Sequence, residues 1–246
     1  MTDIWVVAFV KATVVTAMAA CADLTLRHAS AGVRHLVWLT ASAALFLLPF
    51  GALVPDLTLS APIVMQAAGS ISSLSAPPGL RSPLPFFVWI AGCALLLARV
   101  VASGVSIARL VHRAQPAGHP VRVTYGVRVP FACGFGRELV LVPPAFEAWP
   151  ENRRRAVLLH ETAHLERRDN WSLLLAEIVR AFYWPNPLVW YAAARLRREQ
   201  EHAADDSVLR AGIDAAEYAA HLIDIARGQR APLLLAGAAM RSELAS

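Results

Sequence analysis

The chain has 246 residues, 57% of them hydrophobic and 17% charged, and a mean hydropathy of +0.47. That balance excludes an ordinary soluble domain and points to membrane spans. The net charge of +5 is carried by arginine, with Lys11 the sole lysine. Beside apolar segments this fits cytoplasmic loops facing anionic lipid; no nucleic-acid-binding motif accompanies it, so no direct nucleic-acid partner is expected. Cys21, Cys93 and Cys133 form no paired or regular pattern, which excludes a disulfide framework.

Charge is thin at first. Residues 1–105 carry only Asp3, Lys11, Asp23, Arg27, Arg34, Asp56, Arg81 and Arg99, so a membrane part precedes a polar part. Ile4–Ala22 is the first apolar run; its start, Met1-Thr2-Asp3, lacks the basic residues of a cleaved signal, and an uncleaved helix is expected. Lys11 should then face other helices or a polar cavity, because a bare charge toward lipid costs about 2.5–3.5 kcal/mol. Leu36–Val54 is the second span, long enough at about 1.5 Å per residue to cross. Pro55–Pro83, rich in Ser, Pro and Ala, reads as irregular, and Leu84–Val105 is the third span. Arginines cluster in the first loop and after the third span. The positive-inside rule places the N-terminus and the Pro55–Pro83 loop outside and everything after residue 106 in the cytoplasm.

The alternation VRVTYGVRV over Val121–Val129 predicts a strand pair turning at Gly126, and Glu138–Val142 a further short strand. Glu138–Val142 is a candidate edge for an extended substrate, or a purely structural strand. Pro150 opens a helix to about Arg168. A second runs Trp171–Trp184 and a third about Leu188–Arg210, with Pro187 in its first turn and Gly212 past its end. Asp214-x-x-Glu217 is a capping box for a last helix. Phe182-Tyr183-Trp184 and Trp190-Tyr191 form an aromatic cluster suited to a membrane interface or a core. The fold class expected is α+β and predominantly helical. A membrane domain over residues 1–113, with spans near 4–22, 36–54 and 84–105, precedes a domain over 114–246 with a small antiparallel sheet.

The chemistry lies in His160-Glu161-Thr162-Ala163-His164. Residues four apart share a helix face, so His160 and His164 present two imidazoles to one point. Glu161 can reach a water on a metal held there, the arrangement a zinc peptidase needs. A third ligand is available on the later helix. Glu201 has Asp205 four residues on, so Glu201 can bind zinc while Asp205 accepts an N–H from a ligand histidine. Glu199 competes for the ligand role. Tyr191, His202 and His221 are candidate oxyanion donors.

Together, HETAHLERRDNW, VPFACGFGRELVLVP, SAGVRHLVWL and FYWPNPLVWYAAARLRREQEHAADD resemble the gluzincin-type membrane peptidases, and more closely the BlaR/MecR family of β-lactam-resistance signalling. The resemblance covers almost the whole chain. It implies a zincin-like (gluzincin) domain in which His160, His164 and Glu201 bind Zn2+, Glu161 is the general base and Asp205 stands behind the ligands. It also implies a multi-pass protein of the bacterial inner membrane that cleaves a cytoplasmic transcriptional repressor, itself or both in response to a signal. The best-known members continue into a fourth span and an extracellular sensor. Here Ala231–Met240 is too short to span, so a fragment or a shorter relative with another input is expected, and β-lactam sensing is not carried over. Two rival readings share the motif. One is an HtpX-like membrane quality-control protease. The other is a non-enzymatic transducer with a structural zinc closed by a fourth ligand, for which Cys133 is the candidate.

Overall fold

The computed structural model describes residues 2–51, 84–134 and 138–229. The Pro55–Pro83 loop, part of the bend before Glu138, and Ala231–Met240 lie outside the described residues. Three long apolar helices come first: α1 (Thr2–Thr25), α2 (Ala31–Gly51) and α3 (Leu84–Arg113). Each is long and apolar enough to cross a membrane. Strands β1 (Gln115–Pro116), β2 (Val121–Val123), β3 (Phe131–Cys133) and β4 (Leu139–Val142) follow, then a 3-10 turn over Pro144–Ala148. Helices α4 (Glu151–Glu166), α5 (Asp169–Phe182), α6 (Pro187–Arg210) and α7 (Ala215–Gln229) complete the described chain. The protein is thus mostly helical, with one small sheet.

Contacts divide the described residues into two compact units. One comprises Met1–Val105 and Trp171–Ala203, the other Ser106–Asn170 and Ala204–Ser246. The division therefore does not fall at the expected boundary between residues 113 and 114. It cuts inside the continuous helices α3 and α6, because α5 and most of α6 pack with the apolar helices.

In the first unit, α1 and α2 are joined by a tight turn in which Leu26 and Ala29 close on Ala22 and Leu26 carbonyls. The polar loop is shorter than Asp23–Arg34, since Arg34 and His35 are already helical. One core cluster holds Ala19, Trp38, Ala41, Ala176, Ala192 and Leu196; another holds Ala12, Leu45, Val179, Tyr183 and Val189. Alanines at these contacts let helix backbones approach closely, as membrane packing favours. Lys11 is exposed rather than packed against other helices, while its neighbour Ala12 turns inward; a long stem lets such an ammonium reach toward an interface.

In the second unit the strand order is β1-β2-β4-β3. β1 and β2 are antiparallel, β2 and β4 parallel, and β3 and β4 antiparallel, so the sheet is mixed rather than antiparallel. Only Val121–Val123 of the alternating stretch is strand. The chain leaves the sheet after Val123 and returns as β3 on the far side of β4. Alternation marks a half-buried strand but carries no information about its partner. β4 lies between two strands, which removes it as a substrate edge; the edge beside α4 is β3. Gly126 does sit in a turn, and a Cβ there would stand 2.2 Å from the Leu110 side chain. Val140, Val142, Phe146, Val157 and Leu165 form the core under α4. Ala156, Val208 and Tyr218 tie α4 to α6 and α7.

Candidate metal centre

Pro150 precedes the first residue of α4 and Arg167 caps its end. Arg168 then adopts a left-handed φ of 55°, a conformation rare for a residue with a Cβ. That single residue reverses the chain and begins α5 at Asp169, which returns its carboxylate toward the helix just left. The His164 Nδ1 lies 2.7 Å from Asp169 Oδ2, and Arg167 donates to the same oxygen at 2.6 Å. Asp169 is 2% exposed, so a guanidinium offsets a carboxylate that would be costly to bury alone.

The other histidine is held from a different direction. His160 Nδ1 is 3.0 Å from the Tyr218 hydroxyl and 3.1 Å from Asp205 Oδ1, while Tyr218 donates to Asp205 Oδ1 at 2.7 Å. A carboxylate oxygen stands close to each Nδ1, nearer to His164 than the Arg167 guanidinium at 3.5 Å, which assigns the proton to Nδ1 on each ring. Each Nε2 then carries the ring's lone pair, and the two Nε2 atoms face each other at 3.1 Å. Two lone pairs so placed repel unless a cation lies between them. Two nitrogens on one tetrahedral zinc, each at about 2.0–2.1 Å, stand roughly 3.3 Å apart. The donor set therefore fits such an ion.

Glu201 lies one helical turn before Asp205 on α6, on the same face. His160, His164 and Glu201 each offer a ligand atom, and these atoms lie within 4.8 Å of one another. Glu161, 9% exposed, points toward the sheet, where the Ala132 backbone N–H of β3 donates to its Oε2 at 2.6 Å.

The remaining sequence candidates make other contacts. Glu199 is fully buried and occupied by Arg34 at 3.0 Å and Arg195 at 2.8 Å, which removes it as a competing ligand. Tyr191 packs edge-on against Trp38. His202 is 3.8 Å from Glu199 and His221 3.7 Å from Glu217. Cys133 is buried on β3, and burial, with the Glu161 charge second, pushes its thiol up to about 11. Among the described residues the group able to hold a metal is His160, His164 and Glu201, without Cys133.

The family model of the BlaR1 peptidase M56 family matches residues 4–244. The chain belongs to that family. The resemblance drawn from HETAHLERRDNW and its flanking blocks is borne out. Regulatory protein BlaR1 of Bacillus licheniformis is 27% identical over 148 residues, covering 51% of this chain and 24% of that protein. Regulatory protein BlaR1 of Staphylococcus aureus is 28% identical over 90 residues, covering 36% of this chain and 15% of that protein. The chain thus spans about a quarter or less of these relatives. Family membership and three membrane-length helices make this M56 protein a membrane protein of a peptidase family.

Proposed function

We propose that the protein is a zinc-dependent endopeptidase of the membrane that acts in signalling, cleaving a cytoplasmic repressor, itself or both. The observation that carries this reading is the pair of imidazole Nε2 atoms facing each other at 3.1 Å, each ring anchored from behind by a carboxylate. His160, His164 and Glu201 would hold the metal. Zinc bound there would supply an acidified water, with a pKa near 7, and an electrophile for the scissile carbonyl.

The chain's own groups do the rest. Asp169 fixes His164, and Asp205 with Tyr218 fixes His160, so the ligand atoms need little reorganisation. Glu161 follows His160 directly, as a base beside a two-histidine site must, and would take a proton from the attacking water and pass it to the leaving amine. The Ala132 N–H holds one oxygen of that carboxylate and so fixes its orientation. The arginine distribution supports a cytoplasmic site and an external N-terminus. The signalling role rests on the names of the BlaR1 relatives.

The decisive test compares the purified membrane protein with Glu161→Gln for zinc content and for cleavage of itself or of a co-expressed repressor. One zinc in both and cleavage only in the wild type is expected. Cleavage by the variant would remove Glu161 as base. Absence of zinc from both would remove the centre.

A further inference from the structure

The hydropathy pattern marks three helices as spans, yet α5 and the first part of α6 belong to the same compact unit as those helices. We propose that α5 and residues 187–199 of α6 form a re-entrant hairpin that enters the bilayer beside α1 and α2, with lipid against its outer aromatic face. Each arm is too short to cross: α5 has 14 residues, a length that in a membrane protein belongs to a buried or re-entrant segment.

Three separate alignments give the depth. At the base of the hairpin, Arg195 pairs with Asp23 at 2.5 Å and Arg34 with Glu199 at 3.0 Å, both beside the turn joining α1 to α2. At the tip, Asn186 donates to the Thr13 hydroxyl at 3.1 Å and Tyr183 to the Leu45 carbonyl at 3.2 Å. At 1.5 Å per residue, base and tip are separated by about 15 Å along α1, about 16 Å along α2 and about 14–20 Å from Asn186 to Arg195 and Glu199. If α1 and α2 cross, the tip lies about halfway or more through a core of about 30 Å.

The tip itself is built for a place without water. Backbone outside a regular helix survives at membrane depth only where protein satisfies it. Here the Trp89 indole donates to the Phe182 carbonyl at 2.9 Å and the Trp190 indole to the Trp184 carbonyl at 2.8 Å. The Asn186 side chain accepts from the Leu188 amide at 3.0 Å. Trp184 lies so close to α3 that a Cβ at Gly92 would stand 2.4 Å from its ring. Toward the tip the charges are matched: Glu177 pairs with Arg180, whose guanidinium lies 4.6 Å over the Trp190 ring, while the exposed Arg197 and Arg198 sit at the base. Phe182, Trp190 and Tyr191 stay exposed at 41%, 39% and 47%. These are aromatic side chains of the kind that face lipid near an interface.

The test is a nitroxide attached at cysteine in place of Phe182 or Tyr191. The full chain carries Cys21→Ser and sits in phosphatidylethanolamine–phosphatidylglycerol vesicles. Relaxation by oxygen is compared with relaxation by a water-soluble nickel chelate. Leu95 of α3, 71% exposed, serves as the lipid reference and Tyr125, 89% exposed, as the aqueous one. Oxygen-to-nickel ratios at 182 and 191 that match Leu95 and exceed Tyr125 several-fold are expected. Ratios matching Tyr125 while Leu95 reads as lipid would overturn the hairpin and leave the spans intact. Aqueous values at all positions would overturn both. Neither outcome bears on the peptidase reading, because no substituted residue belongs to the metal centre.

Discussion

Asp169 shows what a single side chain contributes. It accepts from His164 and from Arg167 while almost wholly buried. Asp169→Asn would remove the charge that both donors face, and zinc affinity should fall about 10–100-fold, read by competition with a chelator. Cys133 makes a second prediction. Its folded thiol ionises near 11 against an ordinary 9.0, so folding favours the protonated form. That contribution is complete below pH 9 and is lost as pH rises through 11. At pH 8 a water-soluble alkylating reagent should leave Cys133 unmodified in the native protein and modify it once unfolded. Much of the centre was legible at this scale, because a helix turns any HExxH into two imidazoles on one face. Tyr218 was not. It lies 58 residues from His160, and only the packing of α7 against α4 brings its hydroxyl there.

Helix boundaries were readable where a residue's chemistry forces them: Pro187 opens α6, and Gly212 follows it at a φ of 85°. Asp214 accepts from the Ala216 and Glu217 amides at 3.0 Å, one half of the expected capping box, while the Glu217 carboxylate accepts from Asn152. Asp214→Ala should destabilise α7 by about 1 kcal/mol. The loss would appear as a lower unfolding midpoint, together with weaker zinc binding, because α7 carries Tyr218. Strands were less legible. Alternation located β2 and β4, but their parallel pairing depends on where β3 returns, and three-residue strands hold no pattern that specifies it. The edge beside Glu161 therefore had to come from the structure.

Across the whole molecule, apolar composition identified the three membrane-length helices and missed the packing of α5 and α6 with them. An amphipathic arm of 14 residues looks the same to a hydropathy count whether it lies in a domain core or among spans. What separates the cases is the buried ionic cluster joining Asp23, Arg34, Arg195 and Glu199. Glu199→Gln would leave two arginines without their shared carboxylate and should cost about 3 kcal/mol or more, seen as a lowered thermal midpoint in lipid. Zinc content should stay at one per chain, in contrast to Glu201→Gln, since Glu199 is engaged by two arginines and is not among the proposed ligands.

Helix α6 runs from Pro187 to Arg210 with no glycine and no internal proline. Its sequence offers no hinge that would absorb a twist. Glu201 and Asp205 ride on the same shaft as Arg195 and Glu199. With side chains reaching roughly 6 Å from the axis, a twist of about 20° at one end would swing the Glu201 carboxylate by about 2 Å. That is about the length of one zinc–oxygen bond. A rotation small enough to leave every helix intact is thus large enough to bring the Glu201 carboxylate to the proposed zinc or to withdraw it.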